Sequence, residues 1–600
     1  MTESRNQRLQ RVRPVLVLAT VAFAIGAILG ARHSTPPSYA LADQFVSAWA
    51  HGEYVKMYSD ISPSAQHTTS VSDFAAAYKE ALSTATATHA RITGKVRGIA
   101  GDSVVVPVQV DTRLFGKLSL DFTLKTVQGT ATGTRILWSR SLAFPGLRPG
   151  EVLSRHTSLP RRATLLARDG SVLAESPPGA DPVGAAEATR NSPLGVLAEA
   201  VVGTVGPVPA GQASIDRRHE LEAQGVPSEA SVGLSGLELA YDARLRGTPG
   251  GELLAGDRLL AYAAPHAAPP LRTTVSPAIQ RAAVSALGGQ LGGIIAMKPS
   301  TGELLAVAGI GLDGLQPPGS TFKMVTTTGV LSAKLATPHT VFPYATFATL
   351  DGVKLSNANG EECGGTLELA FAVSCNSVFS PLGVKLGAAR LVATAERFGF
   401  NHEPGIPGAD ESTLPAASEI QGELDVGSTA IGQGQVLATP LQMGTVAATI
   451  ADGGKRPSLS FLPNQATVGT SVMSESVAHT MRRLMIGVVR EGTGTAAAIP
   501  GVTVAGKTGT AELKSTAELK SSCPSAASES NSTGTSSPGK EGCQGTENEE
   551  ANTDAWFAAF APALHPRIVV CVMLVKDGAG GATAAPVARE VIEAALRSEH

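Results

Sequence analysis

The sequence predicts a multidomain α+β chain whose C-terminal half is an antiparallel sheet with helices on both faces. Three observations predict it. Six hundred residues are too many for one ordinary domain and suggest about three or four folded units. Helical spacing followed by alternating strands marks a small N-terminal unit. Hairpins framed by apolar helices mark the long C-terminal part, and a Gly- and Pro-rich stretch separates the two. An apolar content of 43% allows several cores.

The first element is a basic flank, Arg5, Arg8, Arg11 and Arg13, before Pro14 to Ala31, a stretch without charge. About 17 residues is the short limit for a spanning helix. The basic side stays in the cytoplasm, so the rest of the chain is exported. The small-residue cleavage pattern around Gly26 to Arg32 is poor, so residues 1–35 read as a tail and an uncleaved membrane anchor.

Residues 36–146 form the next unit. Leu41, Phe45 and Trp49 lie on one helical face, and a second helix is expected over Asp73 to Leu82 with Ser72 as N-cap. Strands follow at Ser103 to Val110, Leu118 to Lys125 and Arg135 to Ser139. The unit carries no catalytic constellation.

Residues 147–270 read as an extended spacer with short elements. Arg162 to Glu175 predicts a hairpin around Asp169-Gly170, and Leu237 to Leu245 a short helix.

Residues 271–600 form the large domain. Ser276 to Leu287 is expected as a helix. Gly293 to Met297 and Glu303 to Val307 are expected as paired strands, as are Trp556 to Phe560 and Ile568 to Lys576, and Pro586 to Arg597 closes as a helix. Residues 513–553 interrupt this domain with a Ser-, Gly- and Glu-rich segment expected to be disordered. Thr510 to Ser515 repeats directly as Thr516 to Ser521, which suggests loop expansion.

The formal net charge is −3, and no run of Lys and Arg marks a phosphate-binding face, so nucleic acid is excluded as a partner. No Cys-x-x-Cys pair or spaced His cluster suggests zinc, so no metal and no cofactor are expected. Cys523 and Cys543 are either a disulfide across the insertion or free thiols. Cys363, Cys375 and Cys571 are expected as packed thiols.

Three short motifs carry chemistry. In Pro317-Pro318-Gly319-Ser320-Thr321-Phe322-Lys323, Thr321 to Leu335 has helical spacing. Ser320 then stands at a helix N-terminus, with Lys323 one turn on. The helix dipole favours a developing oxyanion there, and a neutral Lys amine can take the Ser320 proton. Neutrality near pH 7 costs roughly 4 kcal/mol, which burial and a second cation can supply. Ser374-Cys375-Asn376 falls on a turn between two helical stretches. Lys507-Thr508-Gly509-Thr510 follows a strand, Val502 to Gly506. Gly509 permits close approach of a peptide, which can add to the strand edge. Lys507 supplies the second cation and attracts a carboxylate. Each motif alone is weak: a Ser N-cap, a common turn, a strand end.

Together, in this order and context, they resemble the S-x-x-K, S-x-N and K-T-G set of penicillin-binding proteins. Gly293 to Ala308, Ile431 to Gly454 and Asp554 to Pro562 resemble the flanking segments of class B transpeptidase domains. The resemblance covers Leu271 to His600 well and Arg162 to Gly250 loosely. It implies a serine β-lactamase/transpeptidase-like fold on an extended pedestal. The order and length of residues 36–146 resemble the nuclear-transport-factor-like cone of methicillin-resistance-type relatives. It implies that Ser320 attacks a D-Ala-D-Ala stem, that Lys323 is the acylation base and that Ser374 relays a proton to the leaving amine. Asn376 would orient the acyl-side amide, and Lys507, Thr508 and Thr510 would hold the terminal carboxylate. The N–H groups of Ser320 and Thr510 would form the oxyanion hole. Implied partners are peptidoglycan stem peptides, β-lactam antibiotics, the membrane and cell-wall synthesis proteins.

Two other readings compete: a D,D-carboxypeptidase or serine β-lactamase on the same scaffold, and a catalytically idle scaffold. The anchor and preceding domains argue against a free β-lactamase, and the intact motifs argue against idleness.

Overall fold

The computed structural model describes residues 36–99, 102–129, 133–177, 190–463, 469–512 and 553–598. The expected anchor, most of the 513–553 segment and the Cys523 and Cys543 alternatives lie outside them. Among the described residues no single helix is long and apolar enough to cross a membrane. Two compact units emerge, one holding residues up to 160, 208–230 and 247–267, the other 161–207, 231–246 and 268–600. The 147–270 stretch contributes to both.

In the first unit, α1 (Pro37–Ala50) and α2 (Val71–Thr84) accompany a five-stranded antiparallel sheet. Its main strands are β1 (Ala87–Ile92), β2 (Ser103–Thr112), β3 (Lys117–Gly129) and β4 (Gly133–Ile136), paired in that order. Phe45, Trp49, Phe74, Tyr78, Phe122 and Ile136 share one core. The cap of α2 is Ser70, not Ser72. Ser70 is extended and its hydroxyl accepts from the Asp73 N–H at 3.1 Å, so the helix starts two residues earlier.

In the second unit, the hairpin around Asp169-Gly170 forms as β5 (Leu165–Leu166) and β6 (Val172–Ala174). The single helix expected over Leu237 to Leu245 is two, α3 (Gly236–Ala240) and α4 (Asp242–Leu245). Tyr241, at φ −118 and ψ 23, breaks the run. Buried charges hold the break. Glu238 accepts from Arg162 at 2.6 Å and Arg190 at 2.7 Å, and Asp242 accepts from Arg162 at 2.8 Å and from Gly233 N–H at 2.7 Å.

The second unit is built on a five-stranded antiparallel sheet. In chain order its strands are β7 (Gly292–Met297), β8 (Leu304–Gly309), β9 (Ala505–Glu512), β10 (Thr553–Ala561) and β11 (Ile568–Leu574). Across the sheet the order is β8-β7-β11-β10-β9. Burial on both sides makes β7 and β11 continuous apolar runs. Ile294, Ala296, Val570 and Val572 turn to α5 (Pro277–Leu287) and α12 (Ala584–Ser598). Ile295, Met297, Val569 and Cys571 turn to the opposite core. That core holds α6 (Lys323–Ser332), α7 (Leu367–Ala372), α8 (Asn376–Leu386), α9 (Ala388–Phe398), α10 (Pro440–Ala451) and α11 (Glu475–Glu491). Helices therefore cover both faces, and β8 and β9 are left as the edge strands.

Candidate active site

Ser320 sits in a 3-10 turn, Gly319–Phe322, that runs into α6. The regular helix begins at Lys323 and ends at Ser332, shorter at both ends than its spacing predicts. The turn is packed main chain to main chain. Gly319 has φ +50, and a Cβ there would lie 2.7 Å from the Thr510 carbonyl oxygen. Its N–H donates to Gly432 O at 3.0 Å, and a Cβ on Gly509 would lie 2.7 Å from Pro318 O. Only glycine tolerates such approaches. They bring the Ser320 turn directly against β9.

The second motif enters between α7 and α8. Ser374 adopts φ +62, rare for a residue with a side chain. Asn376 is the first residue of α8 rather than part of the turn. Cys375 between them is not a packed thiol: it forms a disulfide with Cys363, with Cα atoms 5.8 Å apart. Folding of the 341–366 hairpin returns Cys363 to the start of α8, which sequence spacing does not reveal. Cys571 is the free, buried cysteine among the described residues.

The third motif lies inside a strand instead of after one. β9 pairs with β10 from Ala505↔Phe560 to Glu512↔Thr553, so Lys507 to Thr510 is part of the ladder. Val502, expected to open the strand, instead bridges to Ile499 in a small turn.

These elements converge on the Ser374 hydroxyl. Lys507 Nζ donates to Ser374 Oγ at 2.9 Å and to Thr508 O at 3.0 Å. Lys323 Nζ lies 2.7 Å from Ser374 O, 2.7 Å from Asn376 Oδ1 and 3.3 Å from Ser374 Oγ. Asn376 Nδ2 donates to Ser356 O at 2.9 Å. Both lysines are fully buried. Burial, and then the charge of Lys507, pushes the Lys323 amine well below its ordinary range. Burial lowers Lys507 to about 7. Phe379 and Phe371 lie 5.5 and 5.6 Å from the two amines, and their ring faces oppose but do not overcome that desolvation.

Hydrogen counting gives the chemistry. A neutral Lys323 amine has two hydrogens and one lone pair. Its two 2.7 Å acceptors use both hydrogens, which leaves the lone pair for a hydroxyl. Ser374 Oγ accepts from Lys507, so its own proton can point to that lone pair. The amines and the Ser374 hydroxyl thus form a path for a proton. The Lys323 contacts do not include Ser320, and catalytic hydrogen bonds often tighten only with substrate bound.

Thr508 and Thr510 belong to the third motif, but the sequence does not mark their hydroxyl partners. Thr508 Oγ1 lies 2.6 Å from Thr493 Oγ1, and Thr510 Oγ1 accepts from Gly580 N–H at 3.4 Å. Phe371, three residues before Ser374, and Phe379, three after Asn376, carry a helical-spacing signal that could have been read. Thr493 and Gly580 carry none. Among the described residues no group of three His, Cys, Asp or Glu could hold a metal ion.

Comparison with known proteins fits this geometry. The family description "Penicillin binding protein transpeptidase domain" matches residues 292–523 and 532–593, and "Penicillin-binding Protein dimerisation domain" matches 183–259. The peptidoglycan D,D-transpeptidase PbpA of Mycobacterium tuberculosis (strain CDC 1551 / Oshkosh) is 33% identical over 392 residues, 54% of this chain and 72% of that protein. The chain belongs to the class B penicillin-binding proteins. Peptidoglycan D,D-transpeptidase PbpA of Mycolicibacterium smegmatis is 33% identical over 443 residues, 61% of this penicillin-binding protein and 81% of that one. The solved imipenem acyl-enzyme complex of penicillin-binding protein A from M. tuberculosis superposes with TM-score 0.53 at 27% identity, covering 73% of this chain and 99% of that one. All three motifs of this penicillin-binding protein fall within the transpeptidase match.

Proposed function

We propose that this chain is a membrane-anchored D,D-transpeptidase that cross-links peptidoglycan stem peptides through an acyl-enzyme on Ser320. Lys323 takes the Ser320 proton as the hydroxyl attacks the D-Ala-D-Ala bond. Ser374 passes a proton to the leaving amine. Asn376 orients the acyl-side amide, and Lys507, Thr508 and Thr510 hold the terminal carboxylate beside Gly509. The N–H groups of Ser320 and Thr510 hold the oxyanion. An acceptor amine of a second stem then releases the acyl group.

The observation that carries the reading is the Lys323 amine, buried beside the Lys507 cation with its lone pair left for a hydroxyl. The relatives named D,D-transpeptidase and the imipenem acyl-enzyme neighbour support it. β-Lactams would acylate the same serine.

The proposed layout is a tail and anchor at 1–35, a nuclear-transport-factor-like cone at 36–146, a pedestal at 147–270 and the transpeptidase domain at 271–600. Helices α1 and α2 accompanying one antiparallel sheet support the cone. The proposed location is the plasma membrane, with a single pass and the catalytic domain outside. The Cys363–Cys375 disulfide supports export, since such bonds persist in oxidising compartments. Cell-wall synthesis proteins are the proposed further partners.

The test is incubation with a fluorescent penicillin, wild type beside Ser320→Ala, followed on a denaturing gel over hours. A lasting label on the wild type alone is expected. A label lost within seconds while the drug is consumed points to a β-lactamase, and no label sinks the acyl-enzyme reading.

A further inference from the structure

Thr493 lies outside all three motifs yet touches the third and the helix end that leads into the second. It stands just after α11, and its N–H donates to Ala372 O at 3.1 Å. Ala372 is the last residue of α7, two before Ser374. Its hydroxyl is 2.6 Å from Thr508 Oγ1 and 3.4 Å from Ala372 O. Glycines fix the placement. A Cβ on Gly492 would lie 2.2 Å from Ala372 O, and a Cβ on Gly581 would lie 2.1 Å from Thr493 O. The loop carrying Thr493 is therefore pressed between the end of α7 and the chain that follows β11. Thr493 itself is exposed, whereas Thr508 is 4% exposed.

Hydroxyl polarity gives this contact a use. A hydroxyl holds one proton, and a carboxylate accepts only. For Thr508 to bind a carboxylate, its proton must point to the ligand. Its oxygen can then only accept from its neighbour. At 2.6 Å that neighbour is Thr493, whose own alternative acceptor, Ala372 O, is distant at 3.4 Å.

We propose that Thr493 is a positioning and specificity-determining residue for substrates ending in a carboxylate: its O–H donates to Thr508 Oγ1 and so aims the Thr508 proton at that group. Chained hydroxyls polarise one another, which strengthens the terminal bond to the anion. The proposal rests on the transpeptidase reading and adds to it a third hydroxyl, supplied from outside the K-T-G strand.

The experiment measures acylation of the full chain in detergent by benzylpenicillin and by its methyl ester, which lacks the anionic carboxylate. Thr493→Val keeps the shape and removes the hydroxyl. It is expected to lower the second-order rate with benzylpenicillin about tenfold, the worth of one hydrogen bond. The loss should appear as weaker binding before acylation with the limiting rate kept. The ester rate should change less than twofold, and Thr493→Ser should restore the wild-type preference. An equal loss with both ligands, no loss, or no rescue by Ser overturns the proposal. If Thr493→Val does not melt cooperatively, Thr493→Ala is read by the same comparison. Failure of the wild type to be acylated at all overturns the transpeptidase reading instead, so the two failures are distinct.

Discussion

The buried amines of Lys323 and Lys507 share one hydroxyl, that of Ser374, at 3.3 and 2.9 Å. Two cations cannot both occupy that space at low energy. One amine must give up its proton, and Lys323, which feels burial and the Lys507 charge together, is the one that does. In the proposed mechanism the arrangement divides the labour of base and anion anchor between two chemically identical side chains.

Acylation by an anionic penicillin should therefore show two pH limbs. On the acid side the rate falls as Lys323 regains its proton. On the alkaline side it falls through about 7 as Lys507 loses the charge that attracts the carboxylate. Lys507→Arg keeps its charge throughout, so the alkaline limb should move upward by about one pH unit or more. Second-order rate constants measured from pH 5 to 10 decide it; an unmoved limb would assign that limb to another group.

Folding stability should respond with a definite sign. Lys507 falls from its ordinary 10.5 to about 7 on folding, so between those values the unfolded chain binds more protons at this site. Its contribution to stability rises with pH across that window, by at most about 1.4 kcal/mol per pH unit. Denaturant curves at pH 7, 8.5 and 10 should rise more steeply for the wild type than for Lys507→Met. Parallel pH dependences would contradict the burial argument.

Gly319→Ala should damage the site without unfolding the protein. The left-handed conformation costs a residue with a side chain about 1–2 kcal/mol, and the added Cβ meets the Thr510 carbonyl at 2.7 Å. Relief of that contact moves Ser320 relative to β9. Penicillin acylation is expected to drop about 100-fold while the melting temperature shifts by only a few degrees. Acylation within threefold of wild type would show that the turn tolerates the move.

Breaking the Cys363–Cys375 bond should loosen the second motif. The bond closes a loop of sequence separation 12, which the loop-entropy relation values at about 3 kcal/mol. Cys363→Ser should lower the denaturant midpoint and slow acylation, and a reductant should do the same to the wild type alone. A reductant effect on the variant as large as on the wild type would refute the assignment.

Much of the fold and of this site was legible because it depends on local pattern. The apolar runs at Gly292–Met297 and Ile568–Leu574 announce strands buried on both faces, and the spacing of Ser320 and Lys323 depends on a single turn. What was hidden depends on chain return. Cys363 meets Cys375 only after a hairpin folds back, and Thr493 meets Thr508 only because α11 ends beside β9. The strand containing Lys507 was misplaced because glycine and threonine look like a turn until the β10 register is known. Ser70 and Ser72 are equally good caps by type, and only backbone conformation selects between them.

Gly319 and Gly509 bring the Ser320 turn against β9, and Gly432 accepts from the Gly319 N–H, all at main-chain distances that leave no room for a Cβ. Such a seam offers no gradual path of change: every single substitution there adds volume where none fits. Variation that retunes ligand preference while preserving turnover is therefore confined to the periphery, at positions such as Thr493, whose side chain reaches the third motif from outside. The landscape of tolerated variants around this serine should accordingly be a ring, barren at its centre and populated at its rim.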